Sequence, residues 1–472
     1  MEKIVKEMSG RGTRTWVLAL TSVASFMVAL DALVVATALS TIRRDLGASI
    51  ETLEWTVNAY TLSLAVLLMT AAALGDRFGR RRMFVAGLGL FVTASAACAL
   101  APNVGWLIVA RAVQGGGAAL VMPLAMALLS AAYPPALRGK ALGIFSGVTG
   151  LAVLSGPVVG GAITQGIAWQ WIFWLNVPIG LLAMPLVRRR IPESFGPRTA
   201  LDIRGLALVT GAALGVVWGL VRGNSAGWGS LEVVAALAAG FLLTVAFVAW
   251  ELRAREPMLP MRFFRSRAFS AGNAASFFSF ASLFGSLFFF AQFLQNTHGY
   301  KPLDAGLRLL PWTATVFIVA PIAGSLVNRI GERSLMVGGL LLQAVGMAWI
   351  ALIASPHLAY AALVAPLIVA GCGVSMAMPA TQNAVINSVA ANEIGKASGA
   401  FQMLRQLGGV FGIAILATVF ARAGSYASAQ AFSDGFARAI GVSAALSLLG
   451  AVAGIALSSR RAVASARMEE AA

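Results

Sequence analysis

Gly75-Asp76-Arg77-Phe78-Gly79-Arg80-Arg81-Arg82 cuts an otherwise apolar stretch of chain into two runs, roughly 54–74 and 83–101. About 20 residues rising 1.5 Å each cross a hydrocarbon core of ~30 Å. Either run therefore reaches across a bilayer, and the octapeptide is a tight basic connection at one face. Gly75 and Gly79 relieve the backbone where the chain reverses. The same alternation recurs in both directions, at roughly 15–38, then 106–129, 141–164, 171–187, 205–221, 232–250, 269–294, 305–327, 334–354, 358–380, 397–420 and 436–457. With the first two runs these make fourteen spans, helix 1 to helix 14 in chain order.

The positive charge of this connection also orients the chain. Of 35 Lys and Arg residues, 26 fall on the side of the two termini and of the octapeptide, and seven on the other. Arg111 and Arg405 lie inside spans. Positive charge marks the cytoplasmic side, so both termini are expected there.

Composition agrees. The 472 residues are 59% hydrophobic and 11% charged, with a mean hydropathy of +0.83. The fold class is an all-α polytopic membrane protein; the ten-residue alternating strands of a β-barrel are absent. A net charge of +17 suggests nucleic acid, but the basic residues are short clusters at helix ends, which is topology, so no nucleic-acid partner is expected. Cys98 and Cys372 fall within spans, and His298 and His357 are isolated in outer loops, so neither a disulfide nor a metal site is expected. No Ser/His/Asp set and no phosphate-binding glycine loop with Lys-Ser/Thr points to an enzyme or to direct ATP drive, and no cofactor is implied.

The chain repeats itself. Gly115–Pro123 reads GGGAALVMP and Gly371–Pro379 reads GCGVSMAMP, an offset of 256 that also carries Gly139-Lys-Ala onto Gly395-Lys-Ala and Gly156 onto Gly412. Upstream, Arg77-Phe-Gly-Arg-Arg lies over Arg329-Ile-Gly-Glu-Arg at an offset of 252. Helices 1–6 thus match helices 9–14, in the same orientation, with helices 7 and 8 inserted between them. The expected organisation is a six-helix bundle over 1–190, the inserted pair with its linkers over 191–267, a second six-helix bundle over 268–458, and a cytoplasmic tail at 459–472. Parallel repeats of this kind place a substrate site near mid-membrane.

Four strings carry a resemblance: the Gly75–Arg82 loop, Gln114-Gly-Gly-Gly117 in helix 4, Gly156-Pro-Val-Val-Gly-Gly161 in helix 5, and Leu30-Asp31 in helix 1. Trp171-Ile-Phe-Trp-Leu-Asn-Val-Pro-Ile-Gly180 and Arg405-Gln-Leu-Gly-Gly409 extend it. Over essentially its whole length the chain resembles the major facilitator superfamily, and more narrowly its fourteen-helix drug:proton antiporters. The resemblance implies two six-helix bundles plus two inserted helices. It makes Gly75, Asp76, Arg77, Gly79, Arg80 and Arg81 a cytoplasmic gating loop, Asp76 facing the positive amino end of helix 13. It makes Gly156, Pro157, Gly160 and Gly161 the segment that marks exporters. The second copy of the loop has Asn328 where the first has Asp76, and helix 1 has Leu33, Ala36 and Ser40 where the family usually has Thr, Asn and Pro.

Charge inside the hydrocarbon region is costly and usually functional. Counted along the spans, Asp31 lies ~10 Å and Arg111 ~8 Å below the outer surface, so the depths match. A carboxylate beside a guanidinium can alternate between an ionised pair and a protonated, released acid, which suits proton coupling; a static ion pair is the other reading. Glu54 and Asp304 fall near the outer surface, leaving Asp31 as the one deep acid. Arg405 has no acid partner legible in the sequence. Asn58, Tyr60, Gln114, Phe284, Phe288, Gln292 and Gln382 are candidate cavity residues, Phe284 and Phe288 because an i, i+4 spacing puts them on one face of the Phe-rich helix 9.

The expected function is a proton-coupled antiporter, acting as a monomer in a bacterial inner membrane and exporting amphipathic small molecules with protons as the coupling ion. An exporter dedicated to one secondary metabolite, a solute:proton importer and a non-transporting sensor are the alternatives.

Overall fold

The computed structural model describes residues 2–196, 201–390 and 393–457; the tail expected at 459–472 and the side chain of Asn328 lie outside what it describes. Among the described residues, fourteen helices are long and apolar enough to cross a membrane, the number read from the sequence.

The helices overrun the apolar runs that announce them. The first spans Gly12–Leu46, the ninth Arg267–Asn296 and the thirteenth Ile394–Ala423. Helical hydrogen bonding continues past the hydrocarbon edge until a cap stops it. Ser49, Asn103, Ser230, Ser266 and Ser428 each turn a side-chain oxygen onto a backbone N–H three residues ahead, closing the amino ends of helices 2, 4, 8, 9 and 14. Two spans are broken instead of smooth. Helix 6 is Trp171–Trp174 followed by Asn176–Arg190. Helix 10 is Pro302–Arg308, Leu310–Thr313 and Thr315–Ile330. Pro178 and Pro311 lack the N–H that would bond four residues back, to Trp174 and Leu307, and the breaks at Leu175 and Leu309 follow those residues.

The chain divides into two compact units, Met1–Leu206 with Lys301–Leu307, and Ala207–Tyr300 with the described part of Arg308–Ala472. In the first, Phe84, Leu88 and Phe91 of helix 3 pack with Tyr60, Leu64, Leu124 and Val187. Gly87 and Gly117 let helices 3 and 4 cross backbone to backbone: a Cβ on Gly117 would lie 2.6 Å from the Phe91 nitrogen.

The second unit repeats that crossing at Gly339 and Gly373, where a Cβ on Gly339 would lie 2.6 Å from the Gly373 carbonyl. Gly79 and Gly331, joining helices 2–3 and 10–11, both take positive φ, 106° and 96°. These are the positions that the 252 and 256 offsets superimpose, so the duplication read in the letters is present in the backbone. The sequence reading sets helices 7 and 8 apart as their own block. In the structure most of the pair belongs to the second unit, where Asn224 Nδ2 donates to the Thr418 carbonyl at 2.6 Å and Thr418 Oγ1 to the Leu220 carbonyl at 2.9 Å.

Candidate functional site

Helix 1 delivers Asp31 and helix 4 delivers Arg111 to one buried point. Each residue is 1% exposed, and Arg111 Nη1 donates to Asp31 Oδ2 at 2.5 Å. Gln114, one turn along helix 4, donates from Nε2 to Asp31 Oδ1 at 2.9 Å, and its Oε1 accepts from Arg111 Nη1 at 2.8 Å. Asn176 of helix 6 donates to Asp31 Oδ1 at 2.8 Å and to Ser95 Oγ at 3.0 Å, and Ser95 in turn donates to the Phe173 carbonyl. Arg111 Nε reaches the Thr56 carbonyl of helix 2 at 3.2 Å, and the guanidinium lies 4.1 Å from the Tyr60 ring centroid. Tyr60 is fixed by its own hydroxyl, which donates to the Val28 carbonyl. Five helices therefore hold one ion pair. Arg111 Nη2 is buried without a hydrogen-bond partner among the described residues.

The sequence reading pairs Asp31 with Arg111; Gln114 and Tyr60, which it treats as cavity residues, join them in the structure. It misses Asn176, Ser95 and Thr56. A lone amide in the apolar run 171–187 was the available signal for Asn176. Helix 1 continues to Leu46, fifteen residues past Asp31 and beyond the apolar run that announces it. Glu54, near the start of helix 2, is 3% exposed, with Oε2 unpartnered among the described residues.

The ion centre belongs to the first unit alone. The repeat offsets carry Asp31 and Arg111 onto Leu283 and Leu367. In the second unit hydroxyls take over: Ser443 Oγ lies 2.6 Å from Ser282 Oγ and 2.7 Å from Ser286 Oγ, and Gln343 Nε2 donates to Ser282 Oγ at 3.1 Å. Such a cluster ties helices together but carries no charge to switch.

The Gly75–Arg82 loop is strapped from one side. Arg80 Nε donates to Asp76 Oδ1 at 2.8 Å. The segment after helix 6 closes over it: the Arg80 N–H donates to the Ser194 carbonyl, the Arg81 N–H to Glu193 Oε1 at 2.8 Å, and the Gly196 N–H to the Asp76 carbonyl. Arg81 also reaches the Ile191 carbonyl, and Arg77 lies over the Phe78 ring. Gly75 packs against Leu124 of helix 4. Glu193 is a further residue that the sequence reading omits; no periodicity marks it.

Gly156 and Gly160 seat helix 5 against Leu33 and Val34 of helix 1, and Gly161 against Pro302 and Leu303. Gly306 in turn meets the Pro157 carbonyl. The Gly-Pro segment is thus a close-packed seam within the first unit.

The other candidates scatter. Asn58 is fully buried with both amide atoms unpartnered among the described residues. Gln292 donates to the Phe288 carbonyl and accepts from the Tyr426 hydroxyl at 2.5 Å. Phe288 is 2% exposed, edge-on to Phe289, whereas Phe284 stacks with Phe280 at 5.8 Å. Gln382 is exposed. Arg405 finds no acid among the described residues; its guanidinium lies 4.6 Å from the Phe280 ring centroid.

Residues 21–413 match the family model described as Major Facilitator Superfamily. The chain is 37% identical over 423 residues to the tetracenomycin C resistance and export protein of Streptomyces glaucescens, covering 88% of this chain and 77% of that protein. It is 35% identical to the multidrug resistance protein Stp of Mycobacterium tuberculosis, covering 87% and 76%, and 34% identical to the cephamycin export protein CmcT of Amycolatopsis lactamdurans, covering 87% and 86%. A crystal structure of the peptide transporter POT with sulfate superimposes with a TM-score of 0.68 at 16% identity, over 93% of this chain and 94% of that one, which shows a shared fold.

Proposed function

From the premise that the chain belongs to the major facilitator superfamily and is a multi-pass protein of a bacterial cytoplasmic membrane, we propose that it is a transporter rather than an enzyme, exporting amphipathic small molecules in exchange for protons. The observation that carries this reading is the buried Asp31–Arg111 pair, with Gln114 and Asn176 as neutral donors around it. The export proteins among its relatives support the direction of transport.

The geometry suggests how the exchange works. Ionised Asp31 accepts three hydrogen bonds from three side chains on two other helices. A proton arriving on Asp31 removes the charge that Arg111 answers, and the link between helices 1 and 4 loosens. Losing the proton on the other side restores it. The amides serve both states, since each can turn its oxygen toward an acidic O–H. Substrate and proton then compete for opposite states of one two-state element.

Efflux of a fluorescent dye from proteoliposomes tests this. Transport should follow an imposed pH gradient and stop when gradient and potential are both collapsed; transport that persists overturns proton coupling. Relatives named for single metabolites favour a second reading, a dedicated exporter. A panel of unrelated drugs, none of which competes for efflux, is the result expected of it.

A further inference from the structure

Among the described residues Arg405 is a cation without a counter-ion. It sits eleven residues into the thirteenth helix, Ile394–Ala423, which at 1.5 Å per residue is ~16 Å from the cytoplasmic end of that helix. Its Nε is shielded from solvent and has no hydrogen-bond partner, and no acid pairs with it among the described residues. One turn earlier, Gln402 Oε1 is likewise shielded and unpartnered. The guanidinium lies over two rings, Phe280 at 4.6 Å and Phe401 at 5.9 Å. Phe284 continues the platform, stacked on Phe280 with 29° between the planes. The 256 offset carries Arg405 back to Thr149, whose hydroxyl is satisfied by the Phe145 carbonyl. The first unit thus has a neutral, satisfied residue where the second has an unsatisfied charge.

A guanidinium at mid-membrane is costly unless something answers it, and a ring face answers it only in part. The donors of its fork remain open, and the residue keeps partial exposure. A fork of N–H groups matches the paired oxygens of a carboxylate or sulfonate. Beside it, Phe280 and Phe284 offer an apolar plane.

Resting on the export reading above, we propose that Arg405, with Phe280 and Phe284, forms a substrate subsite for amphiphiles carrying an anionic group next to a flat aromatic ring. The guanidinium binds the anion, Gln402 supplies an acceptor for a neighbouring hydroxyl or amide, and the phenylalanines take the ring.

The test is equilibrium binding, which needs no gradient. Pyrene-1-sulfonate and the neutral pyrene-1-methanol are titrated onto the full-length protein in nanodiscs of neutral lipid, read by pyrene fluorescence. Charge-assisted hydrogen bonds predict at least a roughly tenfold preference of the wild type for the sulfonate. Arg405→Met should abolish that preference and leave pyrenemethanol binding within about twofold, while Phe280→Leu should weaken both probes together. If Arg405→Met does not fold, Arg405→Gln carries the same expectation, and neutral-probe binding reports its integrity. Equal binding of both probes by the wild type, or an unchanged preference in the folded variants, overturns the subsite. Failure of gradient-driven efflux with the preference intact would overturn the export reading and leave the subsite standing.

Discussion

Asn176 donates its side-chain N–H to Asp31 at 2.8 Å, joining helix 6 to an ion pair otherwise made by helices 1 and 4. The amide lies just past the break at Leu175.

Asn176→Ala should therefore cost stability as well as function. Asp31 Oδ1 keeps only the bond from Gln114, and Ser95 loses a partner. Leaving buried groups unsatisfied costs about 1–3 kcal/mol. The variant should melt several degrees lower in detergent and export more slowly than wild type; an unchanged melt and rate would reduce Asn176 to filler.

Asp31 and Arg111 should behave as a coupled pair. Arg111→Met leaves a buried carboxylate without its cation, at a cost of roughly 3–5 kcal/mol. Adding Asp31→Asn should recover part of that loss, because the double variant buries no charge. Asp31→Asn alone mimics permanent protonation: gradient-driven efflux should fail while substrate binding survives. Thermal melts of the four proteins, with binding and efflux on each, check all three statements. Additive melting losses would show that the pair is not coupled.

Asp76→Asn should leave stability nearly unchanged and impair transport. The Asp76–Arg80 pair is partly exposed, with side chains 24% and 19% accessible, and such pairs are worth up to about 1 kcal/mol. A gating role predicts slower efflux and a shift in spin-label distances across the cytoplasmic mouth. Glu193→Gln, which weakens the strap over the same loop, should act in the same direction. Normal transport in both variants would leave the loop a topological signal only.

Gly79→Ala and Gly331→Ala should each destabilise, since φ of 106° and 96° is a region that side chains rarely adopt. Holding a residue there costs of order 1–3 kcal/mol. At Gly79 the added Cβ would also lie 2.9 Å from the Glu193 carboxyl carbon, a flexible side-chain end that can move aside, so the backbone cost dominates. Expression level and melting temperature report the loss; a harmless Gly79→Ala or Gly331→Ala would contradict it.

Helix number, orientation and duplication are legible in the letters because each rests on a one-dimensional quantity. Span length against bilayer thickness gives fourteen helices, the loop charges give a direction, and a constant offset gives the repeat. Asp31 and Arg111 are legible for the same reason: charge inside an apolar run stands out whatever it touches. Tertiary structure alone decided who meets whom. Asn176, Ser95 and Thr56 come to the ion centre from three helices far apart in sequence, and direction around a helix axis is not readable from a run that is apolar on every face. Glu54 sits near the outer end of helix 2 and is nonetheless buried, because burial depends on what packs alongside and not on position along the span. For Arg405 the sequence leaves open both snorkelling to the inner surface and pairing with an acid it does not identify; only the structure shows the guanidinium over the rings of Phe280 and Phe401.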